Sequence, residues 1–168
     1  TYDPPTPTTY GPDPLAAQAA IELPRPLSGS EITVAILAAR EHALIIGYEA
    51  YRSLDDSNYY SLASNTTFSA AGTLNAAIDG DDTTLTIDME TADILSISAQ
   101  SSAEADANTV LLFLDGEICS VEGYSVVSAT QVQLANVRRG RYDTLGVAHA
   151  SGVSAYIIER DRIESLTH

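Results

Sequence analysis

The chain has 168 residues, 23 acidic against eight basic side chains and a formal net charge of −15. It has no lysine; every Lys/Arg position is an arginine. Such a balance repels phosphate backbones and anionic lipid surfaces, so neither nucleic acid nor a membrane surface is an expected partner. Apolar content suffices for one ordinary core or two small ones, and the single cysteine excludes an internal disulfide.

Residues 1–14 (TYDPPTPTTYGPDP) are rich in proline, which fixes φ and removes ladder donors, so an extended linker or arm is expected over 1–20. The chain opens on Thr1 rather than methionine, and is expected to be a piece of a longer protein. Leu15 to Ala20 suggests a helical turn or two, and Ile21 to Pro24 a short edge strand. Ile32 to Ala38 reads as a strand, with Ala43 to Arg52 as its neighbour. The cluster Asp55-Asp56-Ser57-Asn58 marks a turn, after which Tyr59 to Ala63 begins a third strand. Together these predict a small fibronectin-like β-sandwich over residues 21–78.

Gly72 to Ile78 and Thr83 to Asp88 flank a second turn signal, Asp79-Gly80-Asp81-Asp82. Ile94, Leu95 and Ile97 suggest one more short strand, and residues 101–108 a polar connection or a poorly formed helical turn. The apolar run Val110 to Leu114 then meets Asp115-Gly116, the pair favoured in tight hairpins. The return strand places Ile118 and Ser120 on one face and Glu117, Cys119 and Val121 on the other. A second hairpin joins Tyr124–Val127 to Val132–Val137, and a last strand covers 154–158. Residues 79–162 therefore predict an antiparallel, β-barrel-like unit with an arginine-rich loop, and 163–168 a tail. The period is two almost throughout, and the fold class is all-β.

Three motifs stand in order within this second unit: Asp115-Gly116-Glu117, then Arg139-Gly140-Arg141-Tyr142-Asp143-Thr144, then Ala148-His149-Ala150-Ser151-Gly152. With Gly47 to Asp56 upstream, the segment from about residue 20 to 160 resembles the C-terminal β-rich region of tail-tip proteins. These are the baseplate hub or host-specificity proteins of long-tailed bacteriophages and gene-transfer-agent particles. Asp143 stands where that family commonly has glycine, and aspartate tolerates left-handed backbone better than most residues. The resemblance implies a virion component without enzymatic activity or cofactor. Its implied partners are other copies and neighbouring tail proteins, and its implied place is the tail tip.

The arginine loop is the sharpest candidate site. Arg138, Arg139, Arg141 and Tyr142 offer planar guanidinium groups beside an aromatic ring, suited to intersubunit contact. The same arginines can pair internally with Glu117, Glu122 or Asp143. Tyr59 and Tyr60 form a possible ligand contact, the alternative reading being a carbohydrate- or receptor-binding module. The aspartate clusters fit turns rather than spaced calcium loops. Cys119, His42 and His149 lack zinc-ligand spacing and any local nucleophile motif, so no metal and no catalytic residue is expected.

Overall fold

Val110–Leu114 (β7) is apolar at five consecutive positions because both its faces are covered, and all five residues are buried. Val110, Leu112 and Leu114 enter one core, while Leu111 and Phe113 enter another. The same division runs through Ser154–Glu159 (β11), where Ala155 and Ile157 face the first core and Tyr156 and Ile158 the second. A strand between two apolar layers has no polar face to alternate with. The structure, a computed structural model, describes residues 17–28, 32–40, 44–55, 57–90 and 97–167.

β7 and β11 belong to a seven-stranded antiparallel sheet with Ala70–Leu74 (β5), Leu85–Met89 (β6), Glu117–Ser120 (β8), Gly123–Ser128 (β9) and Gln131–Ala135 (β10). The strand order is β8-β7-β11-β5-β6-β10-β9. Asp115 (φ 44°) and Gly116 (φ 81°) make the two-residue turn of the β7–β8 hairpin, as their sequence indicates. Ser120 of β8 exchanges backbone hydrogen bonds of 2.9 and 2.8 Å with Arg138, just beyond β10. In a flat sheet the first and sixth strands would lie about 24 Å apart, at about 4.8 Å per strand. The sheet therefore curls, enclosing the first core.

The second core lies on the outer face of β7, β11 and β5. Ala17–Glu22 (β1), Thr33–Ala39 (β2) and Glu164–Thr167 (β12) form a three-stranded sheet in the order β1-β2-β12. Ala35, Leu37 and Ala39 of β2, with Leu23, pack onto Ala71, Leu111, Phe113, Tyr156 and Ile158. Between β1 and β2, Arg25–Ser28 makes a single helical turn (α1). A five-residue helix, Ser102–Asp106 (α2), precedes β7 and has a full capping box. Its Ser101 hydroxyl accepts from the Glu104 N–H at 3.3 Å, and the Glu104 carboxylate accepts from the Ser101 N–H at 2.8 Å.

A separate hairpin pairs Tyr48–Arg52 (β3) with Tyr60–Asn65 (β4), and neither strand has a buried residue. It joins the body through Phe68. The Tyr48 ring lies 5.4 Å from the Phe68 ring, the Arg40 guanidinium stands 5.5 Å over it, and Ser69 donates to the Ala38 carbonyl.

Four expectations change. Residues 17–20 are strand rather than helix, because Ala17 to Ala20 complete the ladder with β2. β3 pairs with β4 instead of β2, whose two edges are taken by β1 and β12. The division at residue 78 cuts one sheet, since β5 lies hydrogen-bonded between β11 and β6. The expected tail contains β12. The linker over 1–14, His42, Asp56, Ile94 and Leu95 lie outside the described residues.

Gly72 marks a close approach of β5 to β6. A Cβ there would strike the Asp88 carbonyl of β6 and come within 2.8 Å of the Ile87 side chain. Gly72→Ala is expected to lower the unfolding free energy by about 1–3 kcal/mol, measured by urea denaturation.

Candidate functional site

Glu117 opens β8, a strand whose four residues are all buried, and its side chain is 1% exposed. An isolated carboxylate in such a place would be neutral. Here the required partners arrive from two later segments. Arg139 approaches with a two-pronged fork, Nε to Oε1 at 2.7 Å and Nη2 to Oε2 at 2.7 Å. His149 Nε2 lies 2.9 Å from Oε2. The Gly140 N–H donates to Oε1 at 2.9 Å, and the Cys119 thiol lies 3.3 Å from the same oxygen. Burial raises the Glu117 pKa, but hydrogen bonds from Arg139, then His149, Gly140 and Cys119, outweigh it and hold the value at about 2.

Arg139 has five N–H donors and uses all of them. Two reach Glu117, one reaches the Val147 carbonyl at 2.7 Å, and Nη1 reaches the Asp79 and Asp82 carbonyls at 2.8 and 3.3 Å. Its side chain is 7% exposed, so it cannot serve as the surface contact expected of it. The Asp79 to Asp82 stretch is a turn, closed by the Asp79 N–H on the Asp82 carboxylate at 2.7 Å.

Arg138 pairs with Asp106 of α2 at 2.5 Å and with Glu122 at 3.0 Å. Arg141 donates to the Asn108 side chain at 2.6 Å and to the Asp106 carbonyl at 2.9 Å. Tyr142 is half-buried against the second core and accepts at its hydroxyl from Arg160 at 3.3 Å. The loop is thus a set of internal cross-links. Of the three carboxylates within the expected reach, Glu117 and Glu122 are used. Asp143 instead takes a turn position with φ 65°, following Tyr142 at φ 55°. Aspartate tolerates such left-handed backbone better than most residues. Thr144 completes the turn: its N–H donates to the Arg141 carbonyl, and its hydroxyl accepts from the Ile118 N–H at 3.1 Å.

Sequence reasoning did not find the hub role of Glu117, nor the parts of Asp106 and Asn108. The available signal was an acid beginning a strand of otherwise apolar or small residues.

The gathering of a cysteine, a histidine and a glutamate has chemical limits. Cys119 is fully buried, and burial, then the Glu117 charge, push its pKa up to about 12, so the thiol stays protonated at neutral pH. It faces the carboxylate rather than the imidazole. Glu117 is held ionised with both oxygens occupied, which suits a fixed anchor better than a proton acceptor. Among the described residues, no three His, Cys, Asp or Glu side chains converge as metal ligands, and no helix is long and apolar enough to cross a membrane. Tyr59 and Tyr60, the possible ligand contact, stand half-exposed where β4 begins, on the hairpin arm. No protein-family model matches the chain, and neither does any curated protein.

Removing Arg139 strands a buried charge, so Arg139→Met is expected to cost about 3–5 kcal/mol in denaturant unfolding. The double variant with Glu117→Gln should recover part of that loss. Because the folded Glu117 pKa lies below its ordinary 4.5, its contribution is complete above pH 4.5 and fades as pH falls toward about 2. The stability difference between wild type and Glu117→Gln should therefore be largest above pH 4.5 and shrink below it; a constant difference would contradict the assignment.

Proposed function

We propose that this chain is a non-catalytic structural module of a phage-type tail tip, where it makes contacts with other subunits and supports host attachment. The observation that carries this reading is the meeting of three motifs at one carboxylate. Asp115-Gly116-Glu117 supplies the turn and the anion, and Arg139-Gly140 supplies the fork and a backbone donor. Ala148 to Gly152 supplies His149. These are the segments on which the resemblance to tail-tip proteins rests. Their union in one buried device supports reading them as parts of a single shape-holding unit.

The chemistry agrees with that role. Buried polar side chains bonded to one another hold loops in place without a free reactive group. Assembly surfaces built on such a frame keep their geometry, which lowers the ordering cost of each contact. The arm formed by β3 and β4 is the natural contact element, since it exposes apolar side chains and shares little core with the body.

Antibodies raised against the purified chain should place gold label at the tail tip of intact particles under electron microscopy. Unlabelled particles, with the chain recovered only in unassembled fractions, would overturn the reading.

A further inference from the structure

The β3–β4 arm has no core of its own. A two-stranded hairpin by itself is marginal in water. Leu44 and Ile46, just before β3, are 86% and 82% exposed, and Leu54 at the tip is 92% exposed. Hydrogen bonds surround the Asp55 carboxylate, next to Leu54. The Asp55 carboxylate accepts from the Ser57 N–H at 3.0 Å, the Asn58 N–H at 2.8 Å and the Asn58 side-chain amide at 2.6 Å. A leucine this exposed at the end of a hairpin is an apolar knob that a pocket on a partner can take.

A matching hole exists elsewhere on the same chain. Between the three-stranded sheet and the β7–β8 hairpin lies a mainly apolar cavity of about 200 Å³, lined by Ile21, Leu23, Pro24, Phe113 and Ile118 among others. That space takes one branched aliphatic or one aromatic side chain, given that an apolar void of about 150 Å³ accommodates benzene. The charges beside knob and hole complement each other. Arg52 and Asp55 flank Leu54, and Glu22 and Arg25 flank Leu23-Pro24, all four exposed. Arginine can thus face glutamate on one side while aspartate faces arginine on the other, in a chain whose net charge otherwise opposes self-contact.

We propose that copies of this chain associate head-to-tail, Leu54 at the arm tip of one copy entering the cavity between the three-stranded sheet and the β7–β8 hairpin of the next. Knob and hole are different surfaces, so the contact is heterologous and generates a ring or an open chain rather than a two-fold dimer. The inference rests on reading the chain as an assembly module and names the partner of its arm.

Sedimentation velocity of the purified chain from about 10 µM to about 1 mM tests it, since one side chain in one pocket gives weak affinity. Wild type should gain mass with concentration. Leu54→Asp should weaken association at least about tenfold, with unchanged circular dichroism, and Ile21→Phe, which narrows the hole without touching the arm, should do likewise. A wild type that stays monomeric, or a Leu54→Asp variant that associates as wild type does, overturns the contact. Loss of association in Leu44→Asp but not in Leu54→Asp would also overturn it, moving the contact to the root of the arm. A monomeric chain that still labels the tail tip would remove this contact alone, whereas a self-associating chain absent from the particle would remove the assembly reading.

Discussion

The ion pair of Glu117 and Arg139 ties together the loops at one end of the seven-stranded sheet. The carboxylate sits at the foot of β8 and is sealed from water, so it must find donors or lose its charge. Arg139 satisfies it and at the same time bonds the 79–82 turn and Val147. Three loops that share no secondary structure are thereby held at one point. A buried pair of this kind adds little net stability over apolar packing, because desolvation cancels much of the attraction. Its strength lies in discrimination: an arrangement that left either partner alone would bury an uncompensated charge. The arrangement of loops at this end of the sheet is selected by that penalty.

The position of the pair also accounts for the curl. Arg138, the residue before Arg139, exchanges backbone hydrogen bonds with Ser120, three residues after Glu117. The fork of Arg139 and the bridge at Arg138 act on the same two segments and bring the edge strand β8 toward the segment that follows β10, the sixth strand. Arg138 and Arg141 extend the clamp to α2 through Asp106 and Asn108. Polar groups thus close the curl from outside, while Leu112, Leu114, Ile157, Leu85 and Leu134 fill it from within. The body is braced from both directions, and among the described residues Phe68 links the arm of β3 and β4 to it, through Tyr48 and Arg40.

Local features were plain in the sequence because they depend on neighbours along the chain. The Asp115-Gly116 turn follows from the positive φ that a two-residue hairpin demands. The apolar run at Val110 to Leu114 marks a strand covered on both faces, and the alternation after Gly116 correctly sends Ile118 to one core and Cys119 with Val121 to the other. The tolerance of Asp143 for left-handed backbone is likewise a property of that residue. The helix misread at 17–20 shows the limit of local preference. Alanine-rich sequence favours a helix in isolation, but a ladder of hydrogen bonds to β2 outweighs a few tenths of a kcal/mol per residue.

By itself the sequence determined the all-β class, the hairpin turns and the arginine loop as the polar feature to be explained. Tertiary structure alone decided which carboxylates those arginines meet, because 23 acids offer many pairings and only burial makes one of them obligatory. It also decided that β11 inserts between β7 and β5, and that β12 completes the N-terminal sheet. Strand pairing over such separations depends on which apolar faces can be covered at once, and no local period carries that information.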